Sequence, residues 1–598
     1  MTTPPRDLLP SPAEWTSTFR VVNKVEKGSE RRRRLTTRAL PLGAIALIAF
    51  IFGAMSGANG SPEKDAAQRF SEAWAQQDFA AMHAELSDIS ATEISVEELE
   101  AAYAEAQVTA TLEAIDVALP EDSVSEDGRT VVPVPTIVDT VAFGRIGGDL
   151  RLPYTEGEGG GIDWDPSLVF PGLEEGEELR SNVRVADRAP ILARDGTPLA
   201  EGDSLSRSSP LGSSAIDVVG VVGDAPEELE EELAAQGYPP GTPVGISGLE
   251  LAFNSHLAGK PGGTLVAYDP ETQAEPRVLG KSKPKPGKPV KTWIDPELQE
   301  AAVINLAGRI GGVAVLDAKK GHVLALAGTA FSAPRPPGST FKIITTTAAL
   351  QENLVSLDDQ FDYLSSINAG GRVLENANGE ICGGSFPETF AHSCNTVFAP
   401  LGVEVGEERL VAAAEAFGFN EPPPLYNDEA LDLVDPPNPD IPEDPGDDVD
   451  LAVSAIGQGE VLATPLIMAS VAQTVANDGV RMPTSIVRNP ELQPDAEPVR
   501  VMSKKLANTI TDLMVDVVTY GTGTAGAIAE GQVAGKTGTA ELGPQPGNPE
   551  VQILDAWFTA FAPSDNPQIA AAMMLNDAGA SGGEVAAPAI GAVLSAGL

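Results

Sequence analysis

Apolar positions in this chain fall into three patterns. Ala39 to Ala58 is a run of twenty uncharged residues rich in Leu, Ile, Ala and Phe, and at helical rise it matches the depth of a bilayer core. From residue 62 to about 115 the pattern turns periodic. Ala66, Phe70, Ala73 and Trp74 recur every three or four residues, and Leu99 to Ala106 is rich in Ala and Glu, which predicts helices. Thr130 to Phe143 then shifts to β-type residues, with Val131, Val132, Val134, Ile137, Val138 and Val141. Helices followed by strands predict a small α+β module.

Further along, Asp195-Gly196 marks a hairpin between short strands, and Asp224 to Gln236 reads as an acidic surface helix. Gly245 opens another helix running through Leu257. Lys281 to Lys291, with Pro284, Pro286 and Pro289, reads as a basic, proline-rich linker. After it, Thr292 to Ile304 looks like a strand entering a helix, and Gly311 to Asp317 and His322 to Ala327 are apolar strands joined by a tight turn. Thr396 to Leu401 and Glu408 to Phe417 read as helix, and Glu421 to Asp450, prolines among acids, as a solvated loop. Ala455 to Asn477 is a helical run interrupted by Gly457, Gly459 and Pro465. Val533 to Ala540, Ala556 to Ala562 and Ile569 to Leu575 are expected to form three adjacent antiparallel strands, closed by a helix from about Ala586.

Charge changes the picture at the N-terminus. Across 598 residues the formal net charge is -47, which argues against a nucleic-acid partner. Residues 1–38 run the other way, with nine Lys/Arg against four Asp/Glu. Arg31 to Arg34 and Arg38 directly precede the apolar run, so the positive-inside rule keeps the N-terminus in the cytoplasm and exports the rest. Ser56-Gly57-Ala58 would suit a cleaved signal peptide, but the run is longer than a usual signal core, which favours an uncleaved anchor. The only cysteines, Cys382 and Cys394, lie in the exported part. There they can form a disulfide or remain two buried thiols. The four histidines form no metal-spaced pair.

The candidate chemistry centres on Pro336-Pro337-Gly338-Ser339-Thr340-Phe341-Lys342, followed by the apolar, Thr-rich run Ile343 to Leu350. A tight turn before a helix puts Ser339 in its first turn, with Lys342 on the same face. A hydroxyl beside an amine whose pKa is lowered by burial is the minimum for covalent catalysis. The same Ser-x-x-Lys spacing recurs at Ser61 and Ser282 without an apolar helix behind it. Ser-x-Asn triplets start at Ser366, Ser393 and Ser564, and Lys-Thr-Gly occurs once, at Lys536. Only Ser339, Ser393 and Lys536, in that order, place a helix start, a loop-to-helix segment and a strand so that three walls of one cleft could converge.

That order resembles the penicillin-binding proteins, specifically the monofunctional class B D,D-transpeptidases. Gly245-Ile246-Ser247-Gly248-Leu249-Glu250, Asp295 to Gln299, Ile456 to Glu460 and Ala556-Trp557-Phe558 look like recurrent stretches of that family. The membrane-proximal module resembles the NTF2-like N-terminal extension of MecA-type members. The resemblance implies a multidomain α+β chain: a cytoplasmic tail (1–38), a transmembrane anchor (39–58), an NTF2-like domain (62–165), a pedestal or dimerisation-type domain (166–280), a linker (281–291) and a transpeptidase domain (292–598) whose antiparallel sheet carries helices on both sides. It further implies peptidoglycan cross-linking through an acyl-enzyme on Ser339. Lys342 would act as base and Ser393 as proton relay, while Asn395 orients Lys342 and substrate. Lys536, Thr537 and Thr539 would bind the carboxylate, Gly538 allows close approach, and the N–H groups of Ser339 and Thr539 form the oxyanion hole. Stem peptides and β-lactams are the expected ligands, a glycosyltransferase and other cell-wall machinery the expected partners, and no cofactor or metal is expected. A β-lactam sensor, a scaffold, or a D,D-carboxypeptidase or β-lactamase would use the same motifs.

Overall fold

The computed structural model describes residues 61–598 apart from 205, 274–275, 370, 428–436, 445 and 547. The basic tail and the apolar run Ala39 to Ala58 therefore lie outside the described residues. Among the described residues no helix is long and apolar enough to cross a membrane. The chain divides into two compact units. One runs to Arg188 and includes Gly223–Val244 and Ala258–Lys288; the other comprises Ala189–Val222, Gly245–Leu257 and Pro289–Leu598.

In the first unit, helix α1 (Pro62–Ala75) has Pro62 in its first turn and buries Ala66, Phe70, Ala73 and Trp74. These are the residues whose spacing predicted it. Helix α2 (Val96–Ala110) opens on a capping box between Ser95 and Glu98 and buries Leu99, Tyr103, Ala106 and Ala110. Strands β1 (Leu112–Val117), β2 (Arg129–Thr140) and β3 (Gly144–Thr155) pair antiparallel, with Val134 opposite Leu150. The helix stripes and strand faces share one core around Phe70, Trp74, Tyr103, Val132, Val134 and Leu150. Each large side chain there contributes about 1.5–3 kcal/mol by leaving water. A second sheet, β4 (Glu178–Arg184), β5 (Gly262–Tyr268) and β6 (Arg277–Ser282), adds Leu265 and Ala267 to the same core. The segment 166–280, expected as one domain, is thus shared between the two units.

The second unit is built on a five-stranded antiparallel sheet in the order β8–β7–β11–β10–β9. Its strands are β7 (Gly311–Asp317), β8 (Val323–Gly328), β9 (Ala534–Gln545), β10 (Asn548–Ala562) and β11 (Ile569–Leu575). Alternate residues serve two different layers. Val313, Val315, Phe558, Ala560 and Met573 pack with helices α3 (Pro296–Leu306) and α9 (Gly582–Ala596) on one face. Ala314, Leu316, Trp557, Phe561 and Met574 join the larger core on the other. That core holds α4 (Lys342–Gln351), α5 (Asn395–Val405), α6 (Asp448–Ala455), α7 (Pro465–Ala476) and α8 (Lys504–Thr519). A sheet buried on both faces needs continuously apolar strands, which is how these segments read.

Local chemistry moves several expected boundaries. The run Ala455 to Asn477 is not one helix: α6 ends at Ala455, a turn with Gly457 and Gly459 at φ +73 and +69 follows, and α7 occupies the rest from Pro465. Thr464 caps Ile467 N and Pro465 starts α7, so the second helix begins afresh. The closing helix starts at Gly582, about four residues before the expected point, because Ser581 and Glu584 form a capping box. Strands β9 and β10 also run past the apolar segments that announced them, joined between Gln545 and Asn548.

Candidate active site

Ser339 lies in a 3-10 turn, Gly338–Phe341, that runs directly into α4. The turn presses against β9. Gly338 has φ +53, and a Cβ there would stand 2.6 Å from Thr539 O, while one on Gly538 would stand 2.6 Å from Pro337 O. Only glycines permit this backbone approach. Gly338 N also donates to Gly457 O at 2.8 Å, and Arg335, just upstream, donates from Nε to the buried Asp555 carboxylate at 2.8 Å. The turn is therefore fixed from both sides. Ser339 itself is half-buried, and its hydroxyl makes no hydrogen bond among the described residues.

One turn on, Lys342 is completely buried. Its Nζ donates to Asn395 Oδ1 at 2.7 Å and to Ser393 O at 2.8 Å, and lies 3.2 Å from Ser393 Oγ. Burial, and then the charge of Lys536, hold this amine well below the ordinary lysine range. Ser393 sits at φ +60, a left-handed conformation that is costly for a residue with a side chain and is retained where surrounding contacts over-determine it. Those contacts are present. Ser393 N donates to Phe390 O and Cys394 N to Thr389 O, and Cys394 is disulfide-bonded to Cys382 with Cα atoms 5.6 Å apart. Asn395, first residue of α5, uses its Nδ2 on Glu375 O at 2.8 Å, which leaves Oδ1 for the lysine.

Lys536 reaches the same hydroxyl from β9. Its Nζ donates to Ser393 Oγ at 2.9 Å and to Thr537 O at 3.1 Å, and burial pushes it down to about 7. Ser393 Oγ thus lies between two amines, accepting from Lys536 and within 3.2 Å of Lys342. Thr539 Oγ1 accepts from Gly582 N at 3.3 Å, while Thr537 Oγ1 lies 2.5 Å from Thr522 Oγ1.

The structure brings together Ser339, Lys342, Ser393, Asn395 and Lys536 to Thr539. It leaves three competing matches elsewhere: Ser61 precedes α1, Ser282 ends β6, and Ser564 bonds Gln532 in the β10–β11 turn, while Ser366 begins a short strand that pairs it with Glu375, whose carbonyl accepts from Asn395 Nδ2. Three contributors escape the motif reading. Asn376 accepts from Thr396 N and donates to Leu364 O and Glu380 O, fixing the loop beside Asn395. Gln458 donates to Thr539 O at 3.3 Å. Thr522 follows α8 in a Gly-Thr-Gly-Thr turn, and that composition was its only signal.

The buried amines make stability depend on pH. In the folded chain Lys536 titrates near 7, whereas an unfolded lysine titrates near about 10.4. Between these values the unfolded chain binds more protons, so stability rises with pH. The parent's unfolding free energy is expected to gain on that of Lys536→Met by up to about 1.4 kcal/mol per pH unit between pH 7 and 10. Urea unfolding of both chains across that range checks it; parallel curves would refute the assignment.

Three family models match the chain in succession: the NTF2-like N-terminal transpeptidase domain over residues 62–177, the penicillin-binding protein dimerisation domain over 201–292 and the penicillin-binding protein transpeptidase domain over 311–595. Among curated relatives, the chain is 40% identical over 290 residues to the peptidoglycan D,D-transpeptidase PbpA of Mycolicibacterium smegmatis, an alignment covering 45% of this chain and 56% of the relative. The chain thus spans little more than half the length of that relative. Among solved structures, the D,D-transpeptidase domain of a peptidoglycan glycosyltransferase from Eggerthella lenta superposes with a TM-score of 0.53 at 28% identity, over 69% of this chain and 98% of that one. Penicillin-binding protein A of M. tuberculosis, as its ceftriaxone acyl-enzyme complex, does so with a TM-score of 0.51 at 28% identity and the same coverage. With three consecutive domain matches and a site where the three motifs meet, the chain belongs to the class B penicillin-binding proteins that carry an NTF2-like N-terminal domain.

Proposed function

We propose that this chain is a membrane-anchored peptidoglycan D,D-transpeptidase that β-lactams acylate at Ser339. The observation that carries the reading is the single hydroxyl of Ser393 held between Lys536 and Lys342, the lysine one turn along from Ser339. Lys342, kept neutral by burial and by its cationic neighbour, takes the Ser339 proton as Oγ bonds to the carbonyl carbon of the penultimate D-alanine. The N–H groups of Ser339 and Thr539 receive the oxyanion, a role supported by the contact of the serine turn with β9. As the C–N bond to the terminal D-alanine breaks, Ser393 passes its proton to the leaving amine and takes one from Lys342, which returns to its neutral form. Asn395 holds Lys342 in place, and Lys536, Thr537 and Thr539 bind the donor carboxylate.

In the second half-reaction the amine of another stem peptide attacks the ester and frees Ser339. Cross-linking needs strands polymerised by a glycosyltransferase, the partner activity this reading calls for. The charge-free run Ala39 to Ala58 behind an arginine cluster supports one span, a cytoplasmic N-terminus and an extracytoplasmic catalytic unit. A thioester stem-peptide mimic offered with an acceptor D-amino acid is expected to give the aminolysis product. Hydrolysis without aminolysis would make the chain a carboxypeptidase instead.

A further inference from the structure

Thr537 has a neighbour that belongs to none of the three motifs. Thr522, exposed in the loop after α8, brings its Oγ1 to 2.5 Å from Thr537 Oγ1. The loop is held from two sides: Thr522 N donates to Ala391 O at 3.1 Å, and a Cβ on Gly583 in α9 would stand 2.2 Å from Thr522 O. Two hydroxyls at that separation share one proton, and its direction decides what Thr537 can offer a ligand. If Thr522 donates, Thr537 Oγ1 accepts and keeps its own proton for the cleft. In the opposite direction the exposed Thr522 gives its own proton to solvent or to Ala391 O at 3.4 Å. A carboxylate only accepts, so an anion in front of Thr537 takes the Thr537 proton and thereby selects the first direction. A hydroxyl that accepts one hydrogen bond is also polarised to donate the next more strongly.

We propose that Thr522 is a positioning residue for anion recognition: it fixes the Thr537 hydroxyl as a donor toward the carboxylate of the acyl donor. The inference rests on the acyl-transfer reading of the cleft. It is tested by stopped-flow acylation of parent, Thr522→Val and Thr522→Ser chains by benzylpenicillin and by its uncharged methyl ester, with thermal unfolding of each chain alongside. For benzylpenicillin, Thr522→Val is expected to raise the apparent dissociation constant about tenfold, leave the limiting acylation rate within about twofold, and be rescued by Thr522→Ser. Against the methyl ester, parent and variant should match. Equal losses on acid and ester, a fall in the limiting rate alone, or a variant indistinguishable from an acylated parent would each overturn the proposal and leave the acyl-transfer reading standing. A parent that is not acylated at all would overturn that reading, and this inference with it.

Discussion

A Ser339→Ala chain is expected to take up no fluorescent penicillin, a loss of more than about a thousandfold in acylation. Chains carrying Ser61→Ala, Ser282→Ala or Ser564→Ala are expected to label like the parent. The contrast follows from surroundings rather than from motif spelling. Ser339 is set in a turn wedged between β9 and the Gly457 loop, with a buried amine one turn away. Ser61 and Ser282 lie in the other compact unit, and Ser564 sits in a hairpin turn bonded to Gln532. Gel fluorescence of the four variants decides the matter, and retained labelling of Ser339→Ala would remove the site.

Replacing Lys342 by methionine is the second large effect. Methionine fills most of the buried volume without an amine, so the fold should survive while the proton acceptor is lost. Acylation is expected to fall about a hundred- to ten-thousandfold. The pH profile separates this role from simple packing. A base must be neutral to work, and burial and Lys536 hold Lys342 far below its ordinary value. The parent's acylation rate should therefore rise with pH on a limb lying below the usual lysine range, and Lys342→Met should lack that limb. A variant with the parent's profile would assign the proton to another group.

The site's membership was legible because chemistry forces short spellings: a serine and a lysine on one helix face, a Ser-x-Asn turn, and a glycine where a strand must touch another backbone. Its geometry was not. Nothing in Ser393-Cys394-Asn395 announces a left-handed serine, since that conformation is imposed by Phe390, Thr389 and the Cys382–Cys394 bridge, all set by tertiary packing. The bridge itself was one of two open readings. Thr522 stayed hidden because its partner Thr537 is brought to it by the sheet and α9 rather than by any local pattern.

The fold shows the same division. Helix α1 could be read from its stripe because a single face is buried, whereas Val313 to Leu316 or Ala570 to Met574 bury both faces and carry no period to assign. The segment 166–280 reads as one stretch along the sequence. Its strands nevertheless pair β4 with β5 and β5 with β6 in the unit that holds the NTF2-like match, while Ala189–Val222 and Gly245–Leu257 pack with the unit that holds Ser339. Contacts far apart along the chain decide that allocation, and no local pattern encodes them.

The central claim is that three distant motifs act on one hydroxyl. Intact-mass and peptide-mapping spectrometry of the chain after benzylpenicillin treatment tests it most directly. The expected result is a single penicilloyl adduct on the peptide that contains Ser339. An adduct on any other serine, or none at saturating benzylpenicillin, would contradict it.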